Sequence, residues 1–221
     1  MSSAAGRQIG AEAAGFVLAG GRSSRMGTDK ALVELNGALL IVRALRILRD
    51  AGMEPAIAGA RSDLSAYACV IEDRLERGPL SGICAALGST SAEFSVFISV
   101  DMPLLPPVLV GYLVEHAQET EAGITLVSVN RFVQTFPAVI HRSLAPVLDV
   151  ELQNGDGGCV SAFRVAAERE CRLLRILPLE SLVQAGQVED PRGLPAAFWF
   201  VNANTAEDLA QGERLLRRSV A

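Results

Sequence analysis

The densest chemistry in the chain lies in Leu18-Ala19-Gly20-Gly21-Arg22-Ser23-Ser24-Arg25-Met26-Gly27-Thr28-Asp29-Lys30. Two adjacent glycines let backbone N–H groups approach a phosphate or a base closely, and the Ser, Arg and Lys that follow add donors and positive charge suited to a polyphosphate. The dinucleotide pattern G-x-G-x-x-G does not fit. The Walker pattern G-x-x-x-x-G-K-[ST] fails too, because Gly27 stands three residues before Lys30. Lys30 is the single lysine among the 20 Lys and Arg residues of the chain. Against so strong an arginine bias, one lysine in a Gly-rich segment marks a place where a compact ammonium on a flexible stem is wanted rather than a planar fork.

Two carboxylates could join this loop: Asp73 precedes Gly78-Pro79-Leu80-Ser81-Gly82, and Asp101 opens Asp101-Met102-Pro103. Magnesium takes a few carboxylate oxygens and completes its shell with substrate phosphates and water, a role open to Asp101. Chemistry at a polyphosphate needs little beyond positioning and charge neutralisation. Arg25, Lys30 and Asp101 with one Mg2+ are a minimal set for it.

The elements that must position these groups follow from periodicity. Phe16 to Ala19 is a short apolar run that stops at Gly20-Gly21, as a buried parallel strand entering a glycine turn does. Ile41, Ala44, Leu45 and Leu48 recur at helical spacing before Gly52, with Arg43, Arg46 and Arg49 on the other side. Strands are expected at 55–58, 67–71, 94–100, 124–129, 136–140, 173–177 and 197–201. Helices are expected near 81–87, 106–119, 144–152, 160–168 and 205–217, the last capped by Asn204 or Thr205. The stretch 186–195 reads as a loop. Strands alternating with helices imply an α/β, Rossmann-like fold with a mainly parallel sheet and helices on both faces. Ligands in such sheets bind beyond the carboxyl ends of the strands, where the Gly-rich loop, Asp73 and Asp101 can converge.

Composition limits the alternatives. With 221 residues, 50% hydrophobic and 20% charged, the chain has ample material for a core and does not fit disorder. A net charge of -5 argues against a general nucleic-acid binder. The longest uncharged apolar stretch, 102–114, contains three prolines and is too short for a membrane span. The first fourteen residues carry no apolar core of the signal-peptide kind, so residues 1–14 read as a flexible tail and the location as cytoplasmic. The 4 cysteines have no CxxC spacing and only 2 histidines to help them, so buried free thiols are expected rather than a zinc site or disulfides.

The ordered set of strand, Gly20-Gly21, Arg25-Met26-Gly27 and Asp29-Lys30 resembles the signature of the Gly-rich-loop nucleotidyltransferases, most closely the molybdenum cofactor guanylyltransferases. In that family the loop holds the guanine and triphosphate of GTP. The resemblance extends to Asp73 with 78–82, where the carboxylate takes part in guanine nucleotide binding. It extends to Asp101-Met102-Pro103 with Leu105-Pro106, where the Asp binds magnesium, and to Asn202-Ala203-Asn204-Thr205-Ala206-Glu207-Asp208, which lies near the active site. The loop after the second strand departs from the family: it reads Ala58-Gly59-Ala60-Arg61 where members often carry Asn.

The resemblance implies a nucleotidyltransferase-type domain over 15–221, with a nucleotide-binding half at 15–108 and an acceptor-binding half at 109–221. It implies GTP bound through Leu18, Ala19, Gly20, Gly21, Arg25, Lys30, Asp73 and Asp101, with Asn202 and Asn204 on the acceptor side. The reaction it implies is transfer of GMP from GTP to the phosphate of molybdopterin, giving the guanine dinucleotide cofactor and pyrophosphate, with a molybdoenzyme or its chaperone as a further partner. The same fold also serves transfer from CTP or to another pterin or sugar phosphate, and a nucleotide-binding adaptor without catalysis is a third reading. Gly20-Gly21 favours guanine, since the cytidylyl counterparts usually read Leu-Ala-Ala-Gly.

Overall fold

Ala13–Leu18 forms strand β1, an apolar run that is almost wholly buried, as a strand covered on both faces must be. The computed structural model describes residues 13–20, 29–155 and 158–218. After β1 come β2 (Glu34–Leu35), β3 (Ala38–Leu39), α1 (Leu40–Asp50), β4 (Pro55–Ala58), β5 (Val70–Ile71), α2 (Pro79–Ser89), β6 (Phe94–Ser99) and α3 (Pro107–Thr120). Then follow β7 (Ile124–Val129), β8 (Phe132–His141), α4 (Ala145–Asn154), α5 (Cys159–Arg169), β9 (Leu174–Pro178), α6 (Leu179–Gln184) and α7 (Ala206–Arg218). Ala13 and Ala14, placed by sequence in a tail of residues 1–14, instead pair with Phe94 and Ser95 of β6.

The main sheet has the order β5-β4-β1-β6-β8-β7-β9, and β8 alone runs antiparallel to its neighbours. The exception has a local cause. Asn130 and Arg131, both at positive φ (50° and 68°), make a two-residue turn between β7 and β8, and so short a link can only return the chain antiparallel. β8 therefore starts at Phe132, four residues before the expected strand.

One face of the sheet is covered by α1, α3 and α6 and the other by α2, α4 and α5, giving two cores. Ile41, Ala44, Leu45 and Leu48 of α1 are buried as their spacing requires, and Gly15 lets α1 approach β1, since a Cβ there would sit 3.3 Å from Met53 Cβ. On the second face Phe16 and Phe97 stack at 5.4 Å beneath α2 and α5. Burying a ring such as Phe97 contributes about 1.5–3 kcal/mol.

Two expected strands are corrected. Only Val70–Ile71 of the 67–71 run pairs with β4, because Tyr67 N–H still closes a turn onto Leu64 O at 2.9 Å. Residues 197–201 form no strand: Ala196–Phe198 is a 3-10 turn, and Trp199 buries its ring while Nε1–H donates to Leu194 O at 2.7 Å. That bond ties Trp199 to the end of the 186–195 loop. Cys84 and Cys159 are buried free thiols as expected, whereas Cys69 and Cys171, free as well, are exposed, the latter at a helix end with φ 50°. No helix among the described residues is long and apolar enough to cross a membrane.

Candidate active site

The parallel strands β1, β4 and β6 end level with one another. Ala19 N–H donates to Ala58 O, and Val100 N–H donates to Leu18 O, both at 3.2 Å. The loops leaving these strands therefore begin at one edge, and they enclose a cleft of about 720 Å³. Its lining includes Leu18, Gly20, Gly59, Arg61, Asp73 and Ser99. That volume lies within the range of pockets that hold a small molecule.

Gly59 is a glycine for a steric reason. Its φ is +152°, and a Cβ there would stand 3.2 Å from Gly20 N, so the two loops can touch only if this position has no side chain. Gly82 acts likewise on the opposite wall, where a Cβ would meet Leu18 Cδ2 at 3.2 Å.

Asp73 is buried, not part of a solvated charge cluster, while its neighbours Glu72 and Arg74 are exposed. Its Oδ1 accepts from Leu75 N–H (3.0 Å) and Glu76 N–H (3.2 Å), and its Oδ2 accepts from the Ser81 hydroxyl. Ser81 also accepts from Arg77 N–H at 3.0 Å. The carboxylate thus folds residues 73–77 back onto the start of α2, where Gly78 at φ 76° and Pro79 begin the helix. In this arrangement Asp73 builds the cleft wall.

Lys30 opens a 3-10 turn (Lys30–Leu32) whose N-cap is Asp29, and Asp29 Oδ1 accepts from Ala31 N–H at 3.0 Å. The Lys30 ammonium reaches two residues far away in sequence. It lies 3.6 Å from Asp101 Oδ2 and donates to Asn204 Oδ1. Asp101 Oδ1 in turn accepts from Ser99 Oγ at 2.6 Å, and Asp101 O accepts from Ala203 N–H at 2.8 Å. The Lys30 and Asp101 side chains remain 23% and 21% exposed, so an incoming phosphate can reach both.

Asn204 is fixed by the start of α7. Asp208 Oδ2 accepts from the N–H groups of Asn204 (3.0 Å) and Thr205 (2.8 Å), and Thr205 Oγ1 accepts from Asp208 N–H at 3.1 Å. This is a capping box with Thr205 as the cap. The Thr205 hydroxyl, with the Asn204 and Thr205 N–H groups and the Lys30 charge and against slight burial, holds the Asp208 carboxyl below its ordinary value.

Of the residues singled out from sequence, Lys30, Asp101 and Asn204 come together. Leu18, Gly20 and Asp73 line the adjoining cleft, and Ala19 lies buried behind Gly20. Asn202 is exposed, and its carbonyl accepts from Asn204 N–H at 3.1 Å. Gly21, Arg22 and Arg25 lie outside the described residues. Sequence reasoning missed Arg61, a 5% exposed guanidinium bound to Asp29 and Asp63, and the anchors Ser99 and Asp208. The Thr-x-x-Asp spacing of 205–208 was a readable capping signal; nothing in the sequence announced Arg61.

One carboxylate supported by a hydroxyl, open to solvent beside a lysine, suits a cation whose other ligands come from phosphates and water. Among the described residues no group of three or more His, Cys, Asp or Glu gathers to form a protein-only metal cage.

Comparison with known proteins agrees with this geometry. The family described as the MobA-like NTP transferase domain matches residues 15–170. A molybdenum cofactor guanylyltransferase of Photobacterium profundum is 31% identical over 200 residues, covering 88% of this chain and 92% of that protein. A probable molybdenum cofactor guanylyltransferase of Opitutus terrae is 40% identical over 107 residues, 45% of this chain and 53% of that one. In fold, the chain resembles the crystal structure of molybdopterin-guanine dinucleotide biosynthesis protein A from Archaeoglobus fulgidus, with a TM-score of 0.72 at 23% identity over 92% of this chain and 98% of that one. The model of the family spans well over half of the chain and includes the strand ends that carry the Gly-rich loop, Asp73 and Asp101, so the protein belongs to the family of MobA-like NTP transferase domains.

Proposed function

We infer that the protein is a nucleotidyltransferase that moves GMP from GTP to the phosphate of molybdopterin, producing the guanine dinucleotide form of the cofactor and pyrophosphate. The observation that carries the reading is the meeting of Lys30, Asp101 and Asn204, joined through the Ser99–Asp101 hydrogen bond to the lining of the cleft that also holds Gly20. The name of the Photobacterium relative, over most of both chains, supplies the substrate pair.

An oxygen of the acceptor phosphate attacks the α-phosphorus of GTP, the bond from that phosphorus to the bridging oxygen breaks, and pyrophosphate leaves. The acceptor is already largely dianionic at neutral pH, because a phosphate monoester has its second pKa at about 6, so no side chain has to remove a proton. The chain's task is placement and charge. Gly20 and Gly21 bring backbone N–H groups to the nucleotide, and Arg25 and Lys30 neutralise the triphosphate. Asp73 holds the wall against the nucleoside, and Asn204 orients Lys30. Asp101, steadied by Ser99, is the residue that would hold Mg2+, which supplies charge neutralisation at phosphate oxygens when bound. Before substrate arrives the Lys30 ammonium rests against Asp101 and Asn204, which keeps it at the edge of the cleft instead of free in solvent.

The test is pyrophosphate release from GTP by purified protein with molybdopterin and Mg2+, against CTP and ATP. Release with GTP alone supports the reading. Preference for CTP retains the fold and changes the product, and binding of GTP with no release under any of these conditions turns the protein into an adaptor.

A further inference from the structure

Arg61 is a charged side chain with 5% exposure, placed by the short loop after β4. Its Nη1 donates to Asp29 Oδ1 at 3.1 Å and lies 3.4 Å from Ala19 O, and its Nη2 donates to Asp29 Oδ2 at 2.6 Å. Nε and Nη2 also donate to Asp63, at 2.9 and 2.8 Å. Ala19 and Asp29 are the two stems between which residues 20–28 run. One guanidinium therefore touches both stems of the Gly-rich loop, and on the C-terminal stem it grips the carboxylate that caps the turn of Lys30.

We propose that Arg61 is a positioning residue for nucleotidyl transfer, bridging the two stems of the 20–28 loop and setting Lys30 through Asp29. The inference rests on the functional reading above. A buried arginine facing two carboxylates has little left to offer a phosphate directly, and its fork geometry, with donors on three nitrogens, serves three acceptors at once, which a lysine ammonium at the end of a flexible stem cannot reproduce. Gly59, two residues earlier, brings the same loop against Gly20, so the approach of β4's loop to the Gly-rich loop is built at two points. A displacement of the reacting groups by about 1 Å can cost about 100-fold in rate, which sets the scale for loosening this clamp.

The experiment compares kcat and KM for GTP, together with melting temperature, in wild type, Arg61→Lys, Asp29→Asn and the double variant. The expected result is a fall in kcat/KM of about 10- to 100-fold in Arg61→Lys and in Asp29→Asn. The double variant should lose no more than the worse single one, because both changes break the same link. Normal turnover in a folded Arg61→Lys protein, or losses in the two single variants that add in the double one, overturns the proposal. Should Arg61→Lys fail to fold, Asp29→Asn decides, since Arg61 keeps Asp63 there: normal turnover overturns it. A wild type that releases no pyrophosphate from GTP defeats the functional reading itself, whereas an active wild type with unaffected variants defeats only this inference.

Discussion

The Lys30 ammonium lies 3.6 Å from Asp101 Oδ2, joining the turn after the Gly-rich loop to the carboxyl end of β6. Opposite charges at this distance hold each other only loosely in a site open to water, about 1 to 4 kcal/mol before desolvation, so a polyanion can draw the lysine away. Lys30→Ala should lower kcat/KM for GTP by at least about 100-fold, the scale of losing one donor to developing phosphate charge. Lys30→Arg should recover only part of it. Steady-state pyrophosphate release checks both, and near-normal turnover in a folded Lys30→Ala protein would falsify the assignment.

Gly59→Ala places a methyl group 3.2 Å from Gly20 N on a backbone at φ +152°. The backbone strain alone is expected to cost about 1–2 kcal/mol. Because the clash falls on the loop proposed to receive the nucleotide, GTP affinity measured by calorimetry should drop further than stability does. A variant that is destabilised yet binds GTP normally would show that the contact between these two loops is not part of the nucleotide site.

Thr205 and Asp208 cap α7 and thereby seat Asn204. Thr205→Ala should cost about 1 kcal/mol of stability. Asp208 titrates below its ordinary value of 3.8 in the folded protein, so its contribution is present above that pH and is lost as the pH falls through the folded value. The melting-temperature gap between wild type and Asp208→Ala should therefore be constant from neutral pH to about pH 5 and close below it. A gap that widens in acid contradicts the capping role.

The cysteines divide by environment. Burial, then the Asp149 side chain, pushes the Cys84 thiol far up, and burial pushes Cys159 up to about 11, while Cys69 and Cys171 are exposed. Iodoacetamide at about pH 8 should label Cys69 and Cys171 in the native protein and reach Cys84 and Cys159 only in denaturant. Peptide mass mapping reads the result; early labelling of Cys84 would place α2 differently.

The amino-acid sequence by itself determined the chemistry that is local. The apolar run into Gly20, the spacing of Lys30 and the Gly-Pro-Leu-x-Gly segment specify backbone conformations and donor types within a few residues, and so do the helical period of 41–48 and the parallel strands 55–58 and 94–99. It also pointed to the carboxyl ends of the strands as the edge where the Gly-rich loop, Asp73 and Asp101 gather, because alternating strands and helices imply parallel strands. What only the tertiary structure decided is long-range partnership. Asn204 meets Lys30 and Arg61 joins Asp29 because packed helices and a shared sheet edge bring distant segments within hydrogen-bond reach, a coincidence that no local pattern encodes. The same reason undid the expected strand at 197–201: its apolar residues suit a strand, yet the Trp199 ring found a core pocket and a carbonyl in the preceding loop, and the backbone turned to place it there.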